Sequence, residues 1–140
     1  MTLTADDIAA IQDLGARYAH HVDRRTFEGL RDVFVPDAVL EPPGSVRNGI
    51  DEMLATMANL HRYEATFHFV GQHRIWEDGG AVSGEAYCEA HHITVDDDGG
   101  ARRDRVMFIR YQDRYVATAS GWRIAHRKLE VDWTDDRQVG

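Results

Sequence analysis

The hydrophobic period of this chain changes from helical to extended near Ala65, and that change limits the folds it can adopt. Before this point apolar residues recur three or four positions apart, and after it they alternate. The predicted strands cover residues 65–76, 81–95, 105–117 and 121–133. Glycine-containing turns at 78–80 and 96–100 are hairpin signals. Helices followed by a meander of long antiparallel strands predict an α+β fold, with a curved sheet wrapped around the helices and a cavity between the two layers.

The first helical pattern ends by presenting one carboxylate. Thr4 is the expected N-cap, and Asp7 three residues later resembles the second half of a capping box. Tyr18 and Val22 lie on the apolar stripe of this helix, and Asp23 follows where the stripe ends. The fold therefore predicts a pocket built around Tyr18 and Asp23.

Two shorter helical patterns follow. Residues 27–34 repeat at helical spacing and are expected to stop at Pro36. A short strand is predicted at 38–41, and a third helix over 50–60. These elements complete the helical half of the chain.

Composition narrows the classes of function. A length of 140 residues with 43% hydrophobic content predicts one domain, residues 1–140, with a real core. The 16 basic and 24 acidic residues give a net charge of −8, which argues against nucleic acid or an anionic membrane as a partner. The absence of a long apolar run and of signal-peptide features predicts a soluble, cytoplasmic protein. The single cysteine, Cys88, excludes an intrachain disulfide framework and a multi-cysteine metal site.

Alternation in the last strand places one charge in an apolar row. The row consists of Ala125, Arg127, Leu129, Val131 and Trp133. A buried arginine needs a partner, so Arg127 is expected to meet an anion or a polar ligand.

Histidines are predicted on the same inner face. In the second long strand small residues, Cys88 among them, leave room, and His92 is the polar exception. In the first long strand Thr66, His68 and Val70 share a face. With these faces turned inward, His68 and His92 point toward the predicted pocket, provided that no β-bulge reverses a strand's faces.

This set of residues fits base chemistry. A carboxylate beside a histidine fixes the tautomer of the imidazole and stabilises the imidazolium, so Asp23 and His68 can form a general base. Tyr18 can donate a hydrogen bond to a leaving group or a developing enolate oxygen, and Arg127 can bind developing negative charge.

Each of these residues also has a purely structural interpretation. His68 can be a satisfied core histidine, Asp23 a helix-terminal residue, and Tyr18 a core aromatic. Arg127 can belong to an ion pair, even with Asp23 itself. The sequence alone therefore allows both interpretations of these residues, a general-base site and a purely structural network.

The histidine pairs 20–21 and 91–92 invite a metal interpretation. Adjacent strand residues point to opposite faces, so His91 and His92 do not readily share one ion. No spacing in the chain matches a standard zinc signature, and no metal site is expected.

Motifs in order along nearly the whole chain resemble a known family. They are AIQDL at 10–14, Tyr18, VDRR at 22–25, FVPDA at 34–38, TFHFVG at 66–71, GEAY at 84–87, GWRIAHR at 121–127 and DW at 132–133. Together they resemble the SnoaL-like branch of the nuclear transport factor 2-like (NTF2-like) superfamily. That resemblance implies a cone-shaped α+β fold, a small-molecule substrate, no cofactor, and a homotrimer or homodimer through the sheet face.

The resemblance also implies site residues. The nearest enzymes of the superfamily, hexachlorocyclohexane dehydrochlorinases, scytalone dehydratases and bile-acid 7α-dehydratases, are cofactor-free lyases with a His–Asp pair in the cone. The dehydrochlorinase pattern maps onto Asp23, His68 and Arg127. Tyr18, five residues before the aspartate, matches the bile-acid dehydratases, and His92 aligns with the second histidine of the scytalone dehydratases. The serine and asparagine of the latter have no match, so scytalone is not implied as the substrate.

Three functions follow as expectations. The first is a dehydratase-like lyase that acts on a small apolar, cyclic molecule, with Asp23, His68, Tyr18 and Arg127 as catalytic residues. The second is an isomerase or a polyketide or terpenoid cyclase that uses the same pair. The third is a ligand-binding or oligomerisation domain without chemistry. The expected substrate contacts are His92, Cys88, Trp133 and Val22.

Overall fold

The structure is a computed structural model that describes residues 2–140. Two α-helices, six strands and two 3-10 helices are assigned within these residues. The helices are α1 (Ala5–Asp23) and α2 (Ile50–Met57), with 3-10 helices at Phe27–Asp32 and Ala58–Arg62. The strands are β1 (Phe34–Glu41), β2 (Arg47–Asn48), β3 (Ala65–Asp78), β4 (Ala81–Val95), β5 (Arg102–Thr118) and β6 (Gly121–Val139).

The six strands form one curved sheet in the order β2-β1-β6-β5-β4-β3. Only the β1–β6 pair is parallel within the described residues. Helix α1 packs against β3 and β6, and α2 packs against β1. The core lies between these helices and the inner face of the sheet. The predicted α+β cone is confirmed.

Helix α1 begins and ends as its sequence predicts. The Asp7 backbone N–H donates to Thr4 Oγ1 at 3.1 Å, and the Thr4 backbone N–H donates to Asp7 Oδ2 at 2.9 Å, which is a capping box. Tyr18 and Val22 are buried on the apolar stripe, 4% and 1% exposed. The last helical residue is Asp23. No helix within residues 2–140 has the length and the apolar composition needed to cross a membrane.

The predicted helix over residues 27–34 is wrong for its last two residues. The helical segment is a 3-10 turn that ends at Asp32, and β1 begins at Phe34 rather than at residue 38. Pro36, expected to stop a helix, lies inside this strand, where the pairing with β6 shifts register between Phe34 and Val39. An irregularity of this kind accommodates proline, because proline has no backbone N–H to donate to a neighbouring strand.

Bulges in β6 change which side chains face inward. Ile124 pairs with Tyr115 and His126 pairs with Arg114, so Ala125 is an extra residue. A second register shift makes Asp132 an extra residue and pairs Trp133 with Phe108. Each bulge reverses the alternation beyond it. The predicted inward row is therefore wrong for Trp133, which lies on the outer face of the sheet.

Candidate active site

The end of helix α1 meets the start of strand β3 through two side chains. Asp23 Oδ1 lies 2.7 Å from His68 Nδ1, and Asp23 Oδ2 accepts a hydrogen bond from the His68 backbone N–H at 2.7 Å. The side chains are shielded, with His68 7% and Asp23 20% exposed. The carboxylate therefore fixes both the ring and the backbone of His68.

The Asp23 carboxylate accepts a hydrogen bond from a third donor. Thr66 Oγ1 donates to Asp23 Oδ1 at 2.9 Å and accepts a hydrogen bond from Arg25 Nη1 at 2.8 Å. Burial opposes ionisation of the carboxyl, but the hydrogen bonds from His68 and Thr66 outweigh it, and the pKa of Asp23 lies below its ordinary value. Asp23 is therefore a carboxylate at neutral pH.

The hydrogen bonds of the two inward histidines define their tautomers. An ionised carboxylate only accepts hydrogen bonds, so His68 Nδ1 carries the proton and the neutral ring has a lone pair on Nε2. Nε2 has no hydrogen-bond partner among residues 2–140. His92 Nδ1 lies 3.1 Å from the Arg105 carbonyl oxygen, which assigns its lone pair to Nε2 by the same reasoning. Burial lowers the pKa of His92, so its ring is neutral at neutral pH.

A cavity of about 140 Å³ adjoins these histidines. His68, His92, Tyr18, Val22 and Tyr111 contribute to its wall. Apolar side chains form much of the remaining wall, including Leu40, Met57, Leu60, Met107, Ile109 and Leu129. The His68 and His92 rings lie 6.0 Å apart, and the Tyr18 ring lies 6.3 Å from His68. Two imidazole rings and two phenol rings therefore border one small, mostly apolar space.

A second groove, of about 230 Å³, lies on the outer face of the sheet. Phe69, Tyr87, Phe108 and Trp133 line it, and no histidine does. Trp133 is 60% exposed and stacks on Phe108, so it does not line the inner cavity as its alternation predicts. The two histidines His68 and His92 line the inner cavity instead.

Arg127 has a protein partner rather than a free ligand. Its Nε and Nη2 donate to the two carboxylate oxygens of Asp113 at 2.8 and 2.7 Å. It is 1% exposed and does not line the cavity. The expectation that Arg127 meets an anion is met by Asp113. Asp113 was missed because the pairing of these two residues depends on the β6 bulge.

Cys88 is also placed away from the cavity. It is 3% exposed and absent from the cavity wall, although the small-residue face predicts it there. Burial raises the pKa of its thiol to about 11. A neutral, buried thiol contributes packing here rather than nucleophilic chemistry.

Sequence reasoning missed Tyr111. It lies on β5, is 1% exposed and lines the cavity. The signal was present in the alternation of Ile109, Tyr111, Asp113 and Tyr115, which are all buried. Within residues 2–140 no group of three or more His, Cys, Asp or Glu side chains is arranged to hold a metal ion.

A curved sheet that encloses a small cavity, with a buried His–Asp pair where the first helix meets the sheet, places the chain in the NTF2-like class of α+β proteins. The SnoaL-like domain family matches it over residues 3–128, and the chain belongs to that family.

Similar proteins differ in how much is known of them. An uncharacterized Mycobacterium tuberculosis protein, Rv2910c, is 29% identical over 86% of this chain and 82% of its own length. A candidate scytalone dehydratase from Novosphingobium aromaticivorans is 21% identical, covers 95% and 89% of the two chains, and has a TM-score of 0.80. A type 2 hexachlorocyclohexane dehydrochlorinase is 19% identical, covers 94% and 88%, and has a TM-score of 0.79. The two structures show a common fold.

Proposed function

We propose that this protein is a cofactor-independent lyase that eliminates water or another small leaving group from a small, apolar, cyclic substrate. The observation that carries the proposal is His68, whose Nδ1 is bonded to Asp23 at 2.7 Å and whose Nε2 is left without a protein partner beside an apolar cavity. The similar structures named for a dehydratase and a dehydrochlorinase support elimination as the type of reaction.

The reaction begins with proton transfer to His68 Nε2. The C–H bonding pair becomes the new C=C bond, and the leaving group departs with its own bonding pair. Asp23 stabilises the imidazolium formed in this step because its carboxylate is already ionised and hydrogen-bonded to Nδ1. The imidazolium then returns its proton to the leaving group, which restores the resting state.

The other groups on the wall orient the substrate. Tyr18 donates a hydrogen bond, and the Nε2 lone pair of His92 accepts one from a substrate hydroxyl. Val22 supplies apolar contact. An engineered apolar cavity of about 150 Å³ binds benzene, so the cavity of about 140 Å³ fits a ring-sized substrate.

An isomerase or cyclase is the second candidate, and His92 favours it. Its ring lies 6.0 Å from His68 and offers a second nitrogen lone pair to the same cavity. Proton removal by one histidine and delivery to another carbon gives isomerisation without a leaving group. Product analysis separates the two reactions.

The experiment is a screen of cyclic hydroxy ketones and cyclic halides, with products identified by mass spectrometry. His68→Ala and Asp23→Asn are expected to lower turnover by about 10²–10⁴-fold, the usual contribution of a general base. His91→Ala is the matched control, because His91 pairs with Asp104 at 2.6 Å but does not line the cavity. Equal turnover in wild type and His68→Ala contradicts the proposal, and ligand binding without turnover supports a binding domain.

A further inference from the structure

Arg25 is the one residue other than glycine, among residues 2–140, whose backbone lies in the left-handed region, with a φ of 60°. Residues with a Cβ rarely adopt this conformation, and it persists only where surrounding contacts hold it. Arg25 comes directly after the end of helix α1, two residues beyond Asp23. From this turn its side chain reaches strand β3.

The guanidinium of Arg25 joins three segments of the chain. Nη1 donates to the Val22 carbonyl oxygen at 3.1 Å and to Thr66 Oγ1 at 2.8 Å. Nη2 donates to the Leu60 carbonyl oxygen at 3.1 Å. These acceptors lie on α1, on β3 and on the 3-10 helix Ala58–Arg62. All three are neutral oxygens, so these contacts leave the positive charge of Arg25 close to the Asp23 carboxylate.

Arg25 determines which hydrogen bond the Thr66 hydroxyl can donate. A guanidinium only donates, so Thr66 Oγ1 accepts from it, and the hydroxyl proton is left for Asp23 Oδ1 at 2.9 Å. An oxygen that accepts from a cation is also a stronger donor, because successive hydrogen bonds polarise one another. Thr66 is 6% exposed, so water competes little for its hydroxyl. Arg25, Thr66 and Asp23 therefore form a hydrogen-bonded series with one fixed direction, the Arg25 network.

The Arg25 network ends on the oxygen that binds His68. Asp23 Oδ1 accepts from both Thr66 and His68 Nδ1, and Oδ2 accepts from the His68 backbone N–H. A carboxylate with donors on both oxygens loses hydrogen bonds when it rotates. Burial opposes ionisation, yet these hydrogen bonds hold the pKa of Asp23 below its ordinary value. The orientation and the charge of Asp23 thus depend on the same donors.

We infer that Arg25 is a positioning residue for the Asp23–His68 pair and acts through the Thr66 hydroxyl. Arg25 and Thr66 are both absent from the cavity wall, so their effect reaches the substrate only through Asp23 and His68. This inference rests on the proposed function for its effect on turnover. Its effect on the Asp23 carboxylate does not require a substrate.

The test measures the ionisation of Asp23 directly. Carbon-13 NMR follows the carboxyl signal from neutral pH downward, over the range in which circular dichroism shows the native fold. Arg25→Met and Thr66→Val each break the Arg25 network, so the pKa of Asp23 is expected to rise in both variants. Thr66→Ser keeps a hydroxyl between Arg25 and Asp23 and is expected to titrate like wild type.

A neighbouring arginine provides the matched control. Arg24 is exposed, and Arg24→Met removes the same charge one position away without breaking the Arg25 network, so Asp23 is expected to titrate like wild type. With a substrate found by the screen, Arg25→Met and Thr66→Val are expected to lower kcat about tenfold, the effect of one hydrogen bond to a charged group. KM is expected to stay unchanged, because neither side chain lines the cavity.

The outcomes separate this inference from the proposed function. An unchanged Asp23 titration in Arg25→Met or in Thr66→Val overturns the Arg25 network. An equal change in Arg24→Met and Arg25→Met also overturns it, because that result would show a general effect of charge. If the network fails while His68→Ala still abolishes turnover, the lyase stands without it. A raised Asp23 pKa in both network variants supports the inference even if His68→Ala retains turnover, a result that contradicts only the lyase.

Discussion

Asp113 and Arg127 face each other across strands β5 and β6 and form a two-point ion pair in the core, with N–O distances of 2.8 and 2.7 Å. Removal of one partner leaves a buried charge uncompensated. Asp113→Ala is therefore expected to lower the free energy of unfolding by about 3–5 kcal/mol. Urea denaturation measures the change.

The matched comparison replaces both charges. Asp113→Leu combined with Arg127→Met removes the ion pair without leaving an orphaned charge, so this double variant is expected to be more stable than Asp113→Ala. A loss below about 1 kcal/mol in Asp113→Ala contradicts a structural role for the pair.

His73 makes stability depend on pH. Its Nε2 lies 2.7 Å from the Tyr115 hydroxyl, and burial lowers the pKa of the ring below the unfolded value of 6.5. The unfolded chain therefore binds a proton at a higher pH than the folded one. Stability is expected to fall as the pH drops below 6.5 toward the lowered folded pKa, and His92 contributes in the same direction.

The variant His73→Gln tests whether His73 causes this pH dependence of stability. The slope of unfolding free energy against pH is expected to become smaller in this variant, because one differentially protonated group is gone. Gln12→Asn, which changes an exposed uncharged side chain of α1, serves as the control and should keep the wild-type slope. Equal slopes in wild type and His73→Gln would assign the pH dependence to other groups.

Gly84 marks a close approach between β4 and its neighbours. A Cβ at this position would lie 2.7 Å from the Arg74 carbonyl oxygen and 2.9 Å from the Tyr115 ring. Gly84→Ala is expected to destabilise the fold by about 1–3 kcal/mol through overpacking. Gly71→Ala in β3, whose nearest contact would be an ordinary 3.9 Å, should change stability by less than about 0.5 kcal/mol. Similar melting temperatures for the two variants contradict this packing.

Aromatic side chains on the outer face suggest how copies associate. Phe67, Phe69 and Trp133 are each 60–61% exposed. Grouped exposed apolar residues mark interaction surfaces, and we propose that this face joins copies of the chain into a dimer or trimer. Sedimentation velocity should show an oligomer for wild type and a smaller species for Trp133→Glu. Val46→Glu, at an isolated exposed residue, is the control, and a monomeric wild type overturns the proposal.

The features that the sequence predicted well depend on local signals. The end of the apolar stripe places Asp23 in the last turn of α1, and simple alternation at the start of β3 places His68 inward with Phe67 and Phe69 outward. The Asp23–His68 hydrogen bond needed only those two elements to pack together. The curved sheet around the helices followed from the order of helices and strands, and the cone shape was implied by the family resemblance.

The features that the sequence predicted poorly depend on the pairing register between segments that lie far apart in the chain. A bulge leaves no clear mark in the alternation of β6, so the outward position of Trp133 was missed. The partner of Arg127 is 14 residues away on another strand and becomes visible only when the two strands are paired. Pro36 lies within a strand because the β1–β6 pairing is irregular there.

The central claim is that Asp23 holds His68 with a free lone pair on Nε2. Nitrogen-15 NMR of the imidazole rings near neutral pH measures it directly, and His91, bonded to Asp104 through Nδ1, provides a reference in the same spectrum. The account predicts a protonated Nδ1 and an unprotonated Nε2 for His68, with this preference lost in Asp23→Asn. A proton on His68 Nε2 under these conditions would contradict its assignment as the base.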